Sequence, residues 1–222
     1  MKSYRHQEMK YLVILYALLF LLMCTNLELE FPLDLPGSEW YLFFSISNSV
    51  VLAGIVSLAT FIMDCFISSS AKDRLLGMFL IPKSGSTVFS KIKDGKIRDD
   101  RIYLPKAIEY YDDIIKELPA KKKERRKFEN TKWYTIYCRY QERGSVAQSQ
   151  RDYLLCRDMF VQTVSFIAFY LISLILFGDR VQFSWKFICT LCSVGLIINI
   201  AAHSKMKRFV YTVIALDLAE EK

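Results

Sequence analysis

The sequence predicts an all-α membrane protein: four transmembrane helices, with a mainly helical cytosolic domain between the second and the third. Two observations carry this. Uncharged or nearly uncharged apolar runs stand at Tyr11–Leu27, Leu42–Ile67, Met159–Phe177 and Phe187–Ala202. Crossing the ~30 Å hydrocarbon layer takes about 20 apolar residues. Met159–Phe177 is 19 residues without a charge, Leu42–Met63 is 22, and a chain of 222 residues has no soluble core that could hide four such segments. The second observation is where the charge lies. Residues 68–158 hold 21 of the 30 Lys and Arg against 13 of the 23 acids, about the net +7 of the whole chain. The chain therefore divides into an N-terminal pair of spans in 1–67 (about 11–27 and 42–67) and a basic cytosolic domain at 68–158. A C-terminal pair follows in 159–203 (about 159–177 and 187–202), then a cytosolic tail helix at 204–222.

Lys2, Arg5 and Lys10 precede the first run. A basic start before an apolar stretch also describes a signal peptide, but no small-x-small site follows and Met23 spoils a lipobox before Cys24, so an uncleaved span is expected. The next segment carries Glu28, Glu30, Asp34 and Glu39 with no basic residue, and Pro32, Pro36 and Gly37 forbid regular helix there. Since Lys and Arg stay on the cytoplasmic side, this loop faces outward and both termini face the cytosol. Trp40, Tyr41 and Trp185 mark the outer interface. Asn48 is expected to face another helix, because an amide is costly in lipid. Asp64 is the one acid inside an apolar run: either a functional intramembrane group or a group at the cytoplasmic interface beside Lys72 and Arg74.

Within the basic region, Ala71–Leu80 is amphipathic and prolongs the second helix, Ile81–Gly85 is a turn, Ser86–Ile92 is a short strand or a loop, and Gly95–Leu104 is irregular. Pro105 opens a helix with apolar positions Ala107, Tyr111, Ile114, Ile115 and Leu118, which Pro119 stops. A second helix sets Trp133, Ile136, Tyr137 and Tyr140 on one face, with Gly144 at the place of a left-handed cap. Trp133, Tyr134 and Tyr137 are read as cytosolic core or as a partner face. Ser145 and Gln148 match a capping box. No proline interrupts the chain from there to the outer loop, so one helix of roughly 48 Å is expected from about Val146 to Phe177, a lever joining domain to membrane. After Ala202, a stripe of Phe209, Val210, Val213, Ile214 and Leu218 either extends the last span or lies along the membrane.

Chemistry is sparse. His6 and His203 stand at opposite ends of the chain, no phosphate-cradling glycine loop occurs, and the acids in Asp99-Asp100 and Asp112-Asp113 are adjacent and diverge. No enzyme activity and no cofactor are expected. The six cysteines fit reduced thiols, and Cys189-x-x-Cys192 sits in an apolar run with no second pair to complete a metal site. The basic run of Lys121, Lys122, Lys123, Arg125, Arg126 and Lys127 is a solvated linker, an anionic-lipid patch or a nucleic-acid patch. Asp100 and Arg101 at one end of the domain and Arg157 and Asp158 at the other suggest a domain–membrane latch, through Asp100–Arg157 or Arg101–Asp158 pairs.

Taken in order, Ile81-Pro82, Phe89-Ser90, Asp100-Arg101-Ile102, Asn130-x-x-Trp133-Tyr134-x-x-Tyr137 and Arg151-x-Tyr153-Leu154-Leu155-x-Arg157-Asp158 resemble a pattern in small bacterial membrane proteins. These carry a cytosolic insert between their second and third spans. The retron-associated membrane effectors of antiphage defence are the family it resembles, over about Leu76–Asp158. The resemblance implies a multi-pass inner-membrane toxin of abortive infection. Such a protein is a homo-oligomer held inactive by a protein or ribonucleoprotein regulator, and it disrupts the membrane when triggered. The alternatives are a membrane anchor that recruits a soluble defence partner, as in the Kiwa system, or a small channel or transporter. Direct nucleic-acid binding is possible on charge alone.

Overall fold

The computed structural model describes residues 3–24, 54, 58, 62, 66–77, 84–179 and 181–220. It is helical, with no β-strand among the described residues. The helices are α1 (Ser3–Cys24), α2 (Ser69–Leu76), α3 (Val88–Lys93), α4 (Leu104–Tyr110), α5 (Asp112–Lys116), α6 (Lys122–Tyr140), α7 (Gly144–Leu176) and α8 (Trp185–Glu220), with a 3-10 turn at Ser84–Ser86. Two of them, α7 and α8, are long and apolar enough to cross a membrane. The expected first span lies on α1. The second, 42–67, falls outside the described residues except at its inner end and at Gly54, Leu58 and Ile62. Leu58, Ile62 and Phe66 are exposed.

The chain forms two compact units, one from Met1–Leu75 with Arg157–Asn199, the other from Leu76–Cys156 with Ile200–Lys222. The first unit packs around an aromatic cluster. Phe20 of α1 meets the rings of Phe166, Phe169, Tyr170 and Phe187 at 6.0–6.4 Å between centroids. The turn between α7 and α8 is pinned to this cluster: the Tyr170 hydroxyl donates to the Gln182 carbonyl at 3.0 Å and accepts from the Ser184 amide at 2.7 Å, while the Gln182 amide donates to the Cys24 carbonyl at 2.7 Å. The outside of this unit is apolar. Tyr11, Ile14, Leu15, Leu18 and Leu22 of α1, Leu171, Ile172, Ile175 and Leu176 of α7, and Leu196 and Ile197 of α8 are all exposed. Cys189 and Cys192 lie exposed on α8 too, both as free thiols. Buried inside are Arg157, Asp158, Gln162, Thr163, Ser165, Ser173 and Asn199. A water-soluble bundle does not turn so many large apolar side chains outward, because its helices direct their apolar stripe inward.

The second unit has a conventional core. Residues 86–92, expected as strand or loop, turn out helical, because Val88, Phe89 and Ile92 follow helical spacing and are all fully buried. Glu129 of α6 fixes the first turn of α3 by accepting from the Ser90 amide at 3.0 Å and from its hydroxyl. Gly95 ends α3 at φ +65°, with Lys96 N–H on Lys91 C=O at 2.8 Å and Gly95 N–H on Ile92 C=O at 3.0 Å, a Schellman motif. Gly144, expected as the left-handed cap of α6, instead opens α7, and α6 ends at Gln141 in the right-handed region. The capping box expected at Ser145 does not close either, since the Gln148 amide donates forward to Asp152 at 3.0 Å. Past the α3 cap, the chain is irregular up to Leu104, as expected.

The helix expected from Pro105 to Leu118 breaks into α4 and α5 at Tyr111, where φ is −97° and ψ 17°. Its phenol is drawn inward and donates to Asp217 at 2.7 Å. The aromatic face of α6 is buried as its spacing indicates, at Trp133, Ile136, Tyr137 and Tyr140. The choice left open for the C-terminal stripe is settled by packing. α8 runs without interruption to Glu220, and Phe209, Val210, Val213, Ile214 and Leu218 join the core of the second unit.

Asp217 is 3% exposed and takes hydrogen bonds from the hydroxyls of both Tyr111 and Tyr140. Burial, then the Asp217 charge, pushes Tyr111 far up and Tyr140 up to about 12. A tyrosine whose folded value lies above its unfolded value near 10 stabilises the fold fully below pH ~10, and that contribution is lost as pH climbs through the folded value. Alkaline titration of the intact protein, followed by circular dichroism, should therefore show a loss of stability starting near pH ~10. Asp217→Asn should make that loss shallower. Equal slopes in the two proteins would show that the carboxylate does not govern the tyrosines.

Candidate functional site

The first unit holds a stripe of polar groups where an apolar bundle should have none. Asp158, Gln162, Ser165, Phe169 and Ser173 recur on α7 at steps of four, three, four and four, which puts them within an arc of about 80° at 3.6 residues per turn. The four polar members are 1–5% exposed. Nothing local diverts them: α7 has no proline and no glycine after Gly144, so every side chain keeps its place on the helical wheel.

At the N-terminal end of the stripe is an ion cluster. Arg157 donates through Nε and Nη2 to Asp158 Oδ1 at 3.1 and 3.0 Å, and through Nη1 to Asp73 Oδ1 at 3.0 Å and Ser69 Oγ at 3.2 Å. The arginine and Asp158 side chains are 8% and 2% exposed, and Asp73, on α2, is 21% exposed. Two carboxylates thus share one guanidinium. An isolated buried charge costs several kcal/mol, so the arrangement persists because each carboxylate finds the fork of the same arginine. One turn further along, Gln162 is 1% exposed, and neither its Oε1 nor its Nε2 has a hydrogen-bond partner. Glu8 Oε2 of α1 is likewise buried without a partner. Thr163 donates to the Met159 carbonyl at 2.9 Å and so accepts from the Tyr16 hydroxyl at 2.9 Å, tying α1 to α7 through a polar contact.

Of the residues expected to form the latch, Arg101 and Arg157 each hold a carboxylate of their own unit. Arg101 is bidentate to Asp99, at 2.9 Å from Nε and 2.8 Å from Nη2, and reaches Thr212 Oγ1 at 3.0 Å. Asp100 is exposed. Each arginine takes its carboxylates from its own unit: Asp99 for Arg101, Asp73 and Asp158 for Arg157. Hydrogen bonding to Arg101 holds the Asp99 carboxyl below its ordinary range, against the opposing effect of partial burial.

Of the three aromatics read as core or partner face, Trp133 and Tyr137 are core, at 8% and 9% exposure, and Tyr134 is exposed at 56%. The basic run is not a linker: Lys122, Lys123, Arg125, Arg126 and Lys127 form the first turns of α6, and Lys121 is its N-cap. Cations at a helix N-terminus oppose the helix dipole by a few tenths of a kcal/mol each, so this cluster is not there for the helix. Elsewhere on the second unit, burial and then the like charge of Lys207 push the Lys91 ammonium down. Asn48 and Asp64 lie outside the described residues.

Reading the sequence for chemistry missed Asp73, Gln162, Ser173, Asn199 and the buried acids Glu129 and Asp217. A helical-wheel projection of Met159–Phe177 would have found Gln162 and Ser173, since both fall on the face begun by Asp158. Asp73 and Asp217 carry no such signal. Comparison of the chain with protein-family models, with curated proteins and with solved structures finds no match to any of them.

Proposed function

We propose that the chain is a non-enzymatic, membrane-embedded effector that permeabilises the bilayer in which it sits, under the control of its charged helical unit. One observation carries the reading: the first unit turns large apolar side chains outward and buries a row of polar groups on α7 beside its aromatic core. Only 44% of the apolar window of α7 and 28% of that of α8 is buried, whereas the core helix of a water-soluble protein is mostly covered. Lipid is the solvent that suits exposed leucines, and polar groups buried among membrane helices are by default functional. The excess of Lys and Arg in 68–158 supports a cytosolic place for that region and, with paired spans on either side, for both termini. The resemblance of Leu76–Asp158 supplies the context, a bacterial inner-membrane toxin of antiphage defence that a protein or ribonucleoprotein regulator keeps silent and that works as a homo-oligomer.

Inducing the full chain in bacteria and following a potential-sensitive dye tests the effector reading. Depolarisation is expected once inserted protein accumulates without its regulator, and a steady potential at high levels of inserted protein would remove the proposal. A second reading, a membrane anchor for a soluble partner, draws on the exposed Tyr134 and the unfavourably placed cations at the start of α6. It predicts a stably co-purifying protein and no depolarisation.

A further inference from the structure

We infer that the basic start of α6 is a binding site for the headgroups of anionic lipids, which moors the second unit to the leaflet that α8 enters; this rests on the membrane-embedded reading above. Charge is the first observation. Lys121, Lys122, Lys123, Arg125, Arg126 and Lys127 occupy two turns with a single acid, Glu124, among them. Lys93 and Lys96, at the end of α3, belong to the same surface: hydrogen bonding to Lys96, together with the charges of Lys93 and Arg125, holds the Asp94 carboxyl below its ordinary range. Eight cations thus stand against two carboxylates.

Those two acids are already taken, Glu124 by Lys121 at 3.5 Å and Asp94 by Lys96 at 2.8 Å. Of the acids nearby, Glu117 is held by Lys132 at 3.2 Å, Asp152 by Lys205 at 2.8 Å, Asp99 by Arg101 at 2.8 Å, and Glu129 accepts from Ser90 in a buried position. Lys207 and Arg208, exposed on α8, add to the positive side. Like charges packed this closely repel one another and oppose the helix dipole, so the arrangement costs stability unless an anion lies against it.

Position selects the anion. Within the second unit α6 and α8 run in the same direction, because their contacts advance together. Lys91 lies within the fields of both Glu129 and Lys207, Trp133 meets Phe209 at 5.4 Å, Tyr140 donates to Asp217, and Arg143, just past α6, pairs with Glu220. Every pair has nearly the same separation in sequence, and neither helix has a proline or glycine over these stretches. Continued at about 1.5 Å per residue on both, the register sets 123–127 level with 200–204. There the exposed face of α8 changes from Ile200, 68% exposed, to Lys207 and Arg208, the change that marks the edge of the hydrocarbon. Cations at that edge reach headgroup phosphates, each contributing about fivefold in affinity for an anionic leaflet. A nucleic acid at this level would lie against headgroups of its own sign, and the aromatic beside the run, Phe128, has one face taken by Lys132 at 5.1 Å.

The test uses the full chain inserted in vesicles of neutral phosphatidylcholine, or of equal parts phosphatidylcholine and phosphatidylglycerol, with amide exchange read by mass spectrometry. Exchange over 121–128 is expected to be about tenfold or more slower in the anionic vesicles. About 1 M salt, where the screening length falls to ~3 Å, should abolish the difference. Lys122→Gln with Lys123→Gln and Lys127→Gln, all at exposed positions, should abolish it too, while exchange around Trp133 stays as in the parent. Equal exchange in the two lipids, or equal protection in neutral vesicles on adding single-stranded RNA or inorganic phosphate, would overturn the inference and leave the effector reading standing. A chain that stays in aqueous solution and never enters the vesicles would overturn both.

Discussion

Arg157→Leu is expected to destabilise the protein by about 3–5 kcal/mol, the cost of leaving a buried ion without its partner. The effect is large because the loss is doubled. Asp158, whose side chain is 2% exposed, keeps its charge with no guanidinium beside it, and Asp73 loses a bond of 3.0 Å at the same time. Thermal unfolding in detergent, followed by helical circular dichroism, would read this as a fall of many degrees or as a failure to accumulate. The complementary experiment replaces the cluster whole. Arg157→Leu with Asp158→Leu and Asp73→Leu should recover most of the lost stability, since a well-packed apolar set often equals or betters a buried ion cluster. If the single substitution melted with the parent, the cluster would have to be solvated. If the triple one stayed as unstable as the single, the loss would lie in packing around the arginine stem.

That contrast explains why Arg157 and Asp158 could be singled out from the sequence while Asp73 could not. Arg157 and Asp158 stand at the edge of a run of 19 uncharged residues, and any charge there is conspicuous. Asp73 sits among Lys72 and Arg74 in a charged stretch, where one more acid carries no information. Regular features were legible for the same reason. The absence of proline from Val146 onward marks out α7, which runs Gly144–Leu176, and the aromatic spacing of Trp133, Tyr137 and Tyr140 marks the buried face of α6. What escaped were outcomes of tertiary competition. The three apolar residues of α3 are too few to separate a six-residue helix from a strand, and it is Glu129, 39 residues away, that secures its first turn. Tyr111 continues a helical stripe on paper, but in the fold α4 ends there, at a residue whose phenol is bonded to Asp217. Gly144 suits a left-handed cap by composition, but α6 ends at Gln141, before it is reached.

The second large effect is expected at Trp133, and its value lies in the contrast with its neighbour. Trp133 is stacked on Tyr137 at 5.6 Å and 14°, meets Phe209 edge-on at 5.4 Å and 85°, and is covered from the far side by Gly85, where a Cβ would come within 2.9 Å of the indole Cε3. The ring therefore joins three stretches of the second unit: the 3-10 turn, α6 and the tail of α8. Trp133→Ala should cost about 3–5 kcal/mol. In the intact protein this appears as amide exchange in the second unit faster by about a hundredfold or more, at 1.4 kcal/mol per factor of ten. Tyr134→Ala removes an exposed ring and should change stability by no more than about 0.5 kcal/mol. The two adjacent residues separate the two readings of this aromatic run. If Tyr134→Ala leaves exchange rates alone and weakens capture of a partner, the run divides into one residue for the fold and one for recognition. If Trp133→Ala were as mild as Tyr134→Ala, the indole would be a platform the fold can spare, and its unpartnered Nε1 would be the group a ligand engages.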